Sequence, residues 1–207
     1  MSSTIATPVS SQTNAFPKKH ASAQVALAAR RTSSSGIWVA VFAITMSFAA
    51  FTSALVVREG NTDWGHLVLP SILYVNTAFI LASSATLEVS RRMLRGAAAT
   101  QRAGAWIGLT LLLGVAFCVG QYRGWLDLRA QGIYLATNPN SSFFYVLTFM
   151  HALHVLAGLL ALAYLAYWLS GSRRKAFRHG IFDNTAIYWH FIALLWVYLL
   201  LLCRAEL

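Results

Sequence analysis

The sequence predicts an all-α, polytopic membrane protein of five transmembrane helices. Three observations carry that expectation. Of 207 residues, 57% are apolar and only 11% are charged, with a mean hydropathy of +0.58. The apolar residues gather in five long runs, and the basic residues gather in alternate connections between those runs. A soluble domain keeps more charge than this at its surface. The runs do not alternate as membrane barrel strands would, and in lipid only a helix satisfies its own backbone donors and acceptors.

Residues 1–35 are rich in Ser, Ala and Thr and include Pro17, with no apolar core ahead of a cleavage motif. They read as a flexible cytoplasmic tail, with the first helix as an uncleaved signal anchor. The spans are expected at 36–57, 67–89, 103–122, 142–169 and 185–203. Each is long enough to cross about 30 Å of hydrocarbon at about 1.5 Å per residue. The remainder of the chain, 36–207, forms one transmembrane domain.

Each span carries a distinguishing feature. The first is lined by Ala40, Ala43, Ala49, Ala50 and Ala54. The second holds Asn76 and ends near Glu88, with Arg91 and Arg92 at i+3 and i+4, the favourable order for a helical ion pair. Proton carriers also use intramembrane acids, but this one lies close to the inner end. In the third, Gly104 and Gly108 stand at GxxxG spacing, a signal for a close helix crossing. The fourth aligns His151, His154, Gly158 and Ala161 on one stripe, which reads as an interface. The fifth opens after Asp183, Asn184 and Thr185, which are placed to cap its N-terminus, and continues through Tyr188-Trp189-His190-Phe191.

Basic residues orient the bundle. Lys18, Lys19, Arg30 and Arg31 precede the first span; Arg91, Arg92, Arg95 and Arg102 fill the second connection; Arg173, Arg174, Lys175 and Arg178 fill the fourth. The opposite side keeps Arg58, Arg123, Arg129 and Arg204. By the positive-inside rule the N-terminus is cytoplasmic and the C-terminus periplasmic. Trp38, Trp106, Trp168 and Trp189 are expected in an inner aromatic belt, Trp64 and Trp125 in an outer one. The net charge of +10 is thereby a topology and lipid-headgroup signal rather than a nucleic-acid footprint.

Histidines at lipid depth must face protein, a cavity or a cofactor. As haem or metal ligands they would have to converge on one depth. His151 and His154 lie about 14 to 18 Å from the outer start of their helix, and His190 within about 8 Å of the inner start of its own. The carboxylates that orient ligating imidazoles are also missing from these helices. These points favour hydrogen bonds between helices, and contacts with a partner subunit or a lipid headgroup, over ligation of a cofactor. Cys118 and Cys203 read as small apolar side chains, since no spacing resembles a copper or zinc site. A small transporter would need a broken helix and a polar midplane site, and no mid-span break is signalled.

Three blocks then carry a resemblance. Ser142-Phe143-Phe144-Tyr145 through Thr148, His151, Leu153-His154-Val155 and Gly158 resembles the signature helix of subunit III of haem-copper oxidases. Tyr188-Trp189-His190-Phe191 with Leu195-Trp196 is similar to that family's YWHF block, and Asn76-Thr77 with Leu81-Ala82-Ser83-Ser84 to its LNT and LLAS block. Asp183 with His179 and Phe182 upstream, and the connection from Gln131 to Pro139, also resemble family segments. The blocks stand in family order over 36–203, in the shorter five-helix bacterial form. Two positions depart from it: Met46 stands where the family often has a glutamate, and Ala193 where an aspartate commonly follows YWHF.

The resemblance implies an accessory subunit of a terminal oxidase that reduces dioxygen to water and pumps protons across a bacterial cell membrane. It implies haem and copper in subunits I and II, the partners of this chain, and no catalytic residue, metal or redox centre here. A respiratory supercomplex is a further setting. Family members hold phospholipid in a cleft and support the stability and proton uptake of subunit I. On that pattern the first two helices form one wall and the last three the other. Arg173, Arg174, Arg178, His179 and His190 would then meet lipid phosphate, with His154 bracing the three-helix side or touching lipid. His151, His154, Gly158, Asn76, Glu88, Asp183 and Trp189 would be structural. The rival readings are a subunit III-like protein of a nitric oxide reductase system and a free-standing haem b membrane protein.

Overall fold

The computed structural model describes residues 18–59, 70–95, 100–134, 139–170 and 179–206. They form five helices: α1 (Lys18–Glu59), α2 (Ile72–Arg95), α3 (Thr100–Ala130), α4 (Pro139–Ser170) and α5 (His179–Glu206). Each contains a stretch long and apolar enough to cross a membrane: Ser35–Arg58, Ile72–Leu94, Arg102–Ala130, Ser141–Leu169 and Gly180–Ala205. This is a multi-pass membrane protein.

Helix ends follow local chemistry more closely than the apolar windows do. Pro70 cannot donate a backbone hydrogen bond, so α2 starts after it, with Leu73 N bonding Pro70 O at 3.1 Å. α3 runs on to Ala130 and stops where Gly132 takes a positive φ of 78°. There Gly132 N bonds Arg129 O and Ile133 N bonds Leu128 O, both at 3.0 Å. That pair of bonds is the Schellman arrangement, which glycine supports because it has no Cβ to clash. Pro139 opens α4, a position where its missing N–H costs nothing.

Two helices start earlier than the apolar windows. The backbone of 18–35 is helical and continuous with the first span. An Ala-rich stretch such as 21–29 has high helix propensity and extends an existing helix without a new nucleus. α5 begins at His179, which places Asp183 inside the helix rather than at its cap.

The helices do not divide into a wall of α1 and α2 facing a wall of α3, α4 and α5. α2 packs most extensively on α3, and α3 on α4, α4 on α5 and α5 on α2 close a ring of four. α1 lies outside that ring against α5 and α4, and has no packing contact with α2 among the described residues. The reason is the distribution of polar side chains. α2 carries Asn76, Ser83 and Ser90, all buried, and their partners are on α3 and α5. In lipid, such bonds and close fit decide neighbours, because apolar residues gain nothing by leaving acyl chains for one another. α1 docks through buried Phe48 and Leu55, with Ile44 and Phe51 beside them. Its alanines Ala40, Ala43, Ala49, Ala50 and Ala54 point outward.

Close approach also occurs elsewhere than the GxxxG pair suggested. A Cβ on Gly104 or Gly108 would meet nothing within 4 Å. Tight places include Gly120 against Asn76, and Gly114 on α3 and Gly158 on α4, where a Cβ would stand 3.0 and 2.8 Å from the Trp189 ring. Trp189 and Trp196 are the largest fully buried side chains and form the centre of the core with Phe117 and Phe144.

Candidate functional site

The polar side chains of the spans form an interhelical network, and its spine joins α2 to α5. Trp196 Nε1 donates to Thr77 Oγ1 at 3.0 Å, and Trp189 Nε1 to Ser83 Oγ at 3.0 Å. Ser84 is hydrogen-bonded to His190 Nδ1. Arg91 Nε donates to Asp183 Oδ1 at 2.9 Å. Thr77, Ser84 and Arg91 recur every seven residues on α2, as Asp183 and His190 do on α5. Seven residues is close to two turns, so each set lies on one face, and antiparallel helices bring the sets together in reverse order. Thr77, Ser83 and Ser84 were not among the expected bracing residues, although this period is visible in the sequence.

At one end the spine becomes ionic. Glu88 accepts from Arg92 Nε at 3.1 Å and from Arg91 at 3.5 Å. Its Oε2 also lies 3.9 Å from His190 Nε2. Arg91 thus lies between two carboxylates, one on its own helix and one on α5. Asp183 is a cross-helix partner here, not the helix cap the sequence suggested.

α3 joins α2 through the buried pair Asn76 Nδ2 to Gln121 Oε1, 3.0 Å, which Gly120 admits because a Cβ there would fall on the Asn76 carboxamide. Ser90 Oγ donates to Ala103 O at 2.9 Å, and Thr86 and Thr110 hydroxyls are 2.8 Å apart. Gln121 lies at the end of the apolar window and escaped the sequence reading. α4 is held to α3 by Trp125 Nε1 donating to Thr148 Oγ1 at 3.2 Å. α1 is held to α5 by Thr52 Oγ1 and the Tyr198 hydroxyl, 2.8 Å apart.

The three intramembrane histidines face different neighbours. His151 is fully buried, with ring contacts to Phe117 at 6.0 Å and Trp196 at 5.3 Å between centroids. His154 bonds back through Nδ1 to Met150 O at 2.7 Å and meets Phe48 of α1 edge-on. Its carbonyl accepts from the Tyr188 hydroxyl of α5 at 3.1 Å. His190 faces α2. The expected stripe on α4 is therefore split: His151 turns to α3 and α5, His154 to α1, and Gly158 packs under Trp189. Trp189 belongs to the core and not to the inner aromatic belt, because its N–H finds Ser83 inside the bundle. Among the described residues no group of three or more His, Cys, Asp or Glu is placed to hold a metal ion. Cys118 and Cys203 are free thiols. Arg173, Arg174 and Arg178 lie outside the described residues, and of His179 only the backbone is described.

The family model for cytochrome c oxidase subunit III matches residues 33–204. The chain belongs to the cytochrome c oxidase subunit III family. Its relatives include cytochrome c oxidase subunit 3 of Corynebacterium diphtheriae, 30% identical over 159 residues, covering 72% of this chain and 74% of the relative. Cytochrome bo(3) ubiquinol oxidase subunit 3 of Pseudomonas aeruginosa is 30% identical over 174 residues, 78% of this chain and 79% of the relative. Quinol oxidase subunit 3 of Bacillus subtilis is 26% identical over 178 residues, 79% and 82% respectively. Within this subunit III, the two departures from the family pattern have opposite settings. Met46 is 56% exposed, so its position looks away from the bundle, whereas Ala193 is buried against the ring of four.

Proposed function

We propose that this chain is the non-catalytic subunit III of a haem-copper oxidase, docked in the membrane against subunits I and II, which hold the haem and copper. The observation that carries the reading is how the polar groups of the spans are used. Thr77, Ser83, Ser84, Arg91, Asp183, His190, Trp189 and Trp196 are joined to one another across α2 and α5. Such an arrangement braces a scaffold; it does not present ligands to a redox centre. The relatives include both cytochrome c and quinol oxidases by name, which supports a role for this chain that does not depend on the electron donor.

The scaffold supports sustained turnover and proton uptake by subunit I and holds phospholipid. The packing supports a lipid site. Among the described residues α1 and α2 both lie on α5 without touching each other, which leaves a strip of α5 uncovered between them. Leu194, 66% exposed, is one turn from His190, which faces α2, and one turn from Tyr198, which faces α1. Leu201, 61% exposed, continues the strip. An acyl chain fits this apolar floor, and the Glu88, Arg91, Asp183 and His190 end suits a headgroup. The positive-inside rule puts that end, the N-terminus and the basic connection of Arg173, Arg174 and Arg178 on the cytoplasmic side. There guanidinium groups offer paired donors to phosphate oxygens.

Purification of the complex tests both parts. The chain should co-purify with haem- and copper-bearing subunits and retain phospholipid, and Leu194→Trp should reduce the retained lipid. A Soret band with stoichiometric haem on the isolated chain would overturn the accessory reading. A complex whose lipid extract is empty would overturn the groove.

A further inference from the structure

The ring of four helices contains polar atoms that its side chains do not satisfy. Neither ring nitrogen of His151 has a hydrogen-bond partner among the described residues, and Oδ1 of Asn76 is equally unpaired. Both residues are 0% exposed. We infer that His151 and Asn76 hold ordered water inside the α2–α5 unit, bridging α4 to α2.

Four observations support the site. First, enclosure decides the class of ligand. No lipid headgroup and no side chain of a partner subunit reaches an atom that this chain covers completely, so the ligand is a small molecule sealed within. Second, the chemistry fits water. A neutral imidazole offers one donor and one acceptor, and the amide oxygen accepts, so a molecule that both donates and accepts satisfies either tautomer. A cation fits less well, because no group of three or more His, Cys, Asp and Glu that would hold one occurs among the described residues.

Third, reassigning the amide does not remove the need. Asn76 Nδ2 already donates to Gln121 Oε1 at 3.0 Å, and exchanging oxygen with nitrogen would turn one oxygen toward another and leave the NH₂ unmet. Fourth, the two residues share one polar layer. Trp196 touches the His151 ring and donates to Thr77, the neighbour of Asn76. Phe117, which also touches His151, is one turn from Gln121. Buried water in folded proteins takes this kind of place, between polar groups that cannot reach each other directly.

A cryo-EM map of the intact oxidase complex, at a resolution that shows ordered water, tests the inference. Density is expected about 2.7 to 3.2 Å from a His151 ring nitrogen, linked directly or through a second water to Asn76 Oδ1. No density there, or a protein side chain bonded to the nitrogen, overturns it. His151→Phe keeps the ring contacts with Phe117 and Trp196 while removing both nitrogens, so its map should lose the peak. An unchanged peak in that variant also overturns the assignment, and if the variant does not assemble the wild-type map alone decides.

Discussion

Arg91 on α2 donates from Nε to Asp183 Oδ1 on α5 at 2.9 Å, and from Nη1 to Glu88 Oε2 on its own helix at 3.5 Å. Arg91 is 23% exposed and Asp183 41%, so the pair lies at the edge of the bundle and not in its core. Its energetic weight is that of a partly screened bridge.

Arg91→Gln and Asp183→Asn should each lower the stability of the assembled subunit by about 1 kcal/mol or less. The double variant should lose little more than the worse single, because both remove the same bond. Thermal melts of the complex at low and high salt check this. The loss should shrink as salt rises, since the Debye length falls from about 10 Å at 0.1 M to about 3 Å at 1 M. A loss independent of salt would contradict a rim location.

Gly158→Ala should destabilise the subunit where Gly104→Ala does not. A Cβ at 158 would stand 2.8 and 3.0 Å from Trp189 ring atoms, while one at 104 meets nothing within 4 Å. Overpacking of this kind costs about 1 to 3 kcal/mol. Retention of subunit III during detergent washing, compared between the two variants, reads the difference.

Gln121→Ala should cost about 1 to 3 kcal/mol, because it removes the side-chain partner of the buried Asn76 Nδ2 donor. Replacing Asn76 and Gln121 together by Leu and Met should cost less than Gln121→Ala alone, since no orphaned polar group remains at the pair. Chemical or thermal unfolding of the purified complex measures both.

Thr52→Val and Tyr198→Phe remove opposite ends of one hydrogen bond between α1 and α5. Each should weaken α1 docking by about 0.5 to 1.5 kcal/mol. Protease accessibility or hydrogen exchange along α1 should rise in either variant and no further in the double. Exchange in α2 should not move.

Replacing His151, His154 or His190 one at a time by Gln should leave the visible haem spectrum of the complex unchanged. Their rings face three different helices and share no common point. A shifted Soret maximum in any of the three would assign that imidazole to a haem.

The five spans were legible because a bilayer demands about twenty apolar residues per crossing and a helix throughout. Their neighbours were much less so. When lipid surrounds the molecule, Leu112 facing out and Leu162 facing in look alike in sequence, and no polar face marks the outside. That is why the Gly104 and Gly108 pair misled, while Gly114 and Gly158, on different helices, have no joint signature until Trp189 is placed between them. The Glu88 pairing with Arg91 and Arg92 was readable because it is local. Asp183 was not, because its partner comes from a helix 92 residues away in the chain. The seven-residue recurrence of Thr77, Ser84 and Arg91 was readable in principle, and is the one long-range feature a sequence alone displays.

The bonds of Thr77, Ser83, Ser84 and Arg91 to α5 act as the teeth of a rack. Sliding α5 one notch along α2 would disengage all of them at once, and hydrocarbon offers the stranded groups no substitute. Those two helices therefore travel as a single rigid bar. Moving α1 along that bar would break the Thr52–Tyr198 hydroxyl pair, which is a single bond rather than a row of them.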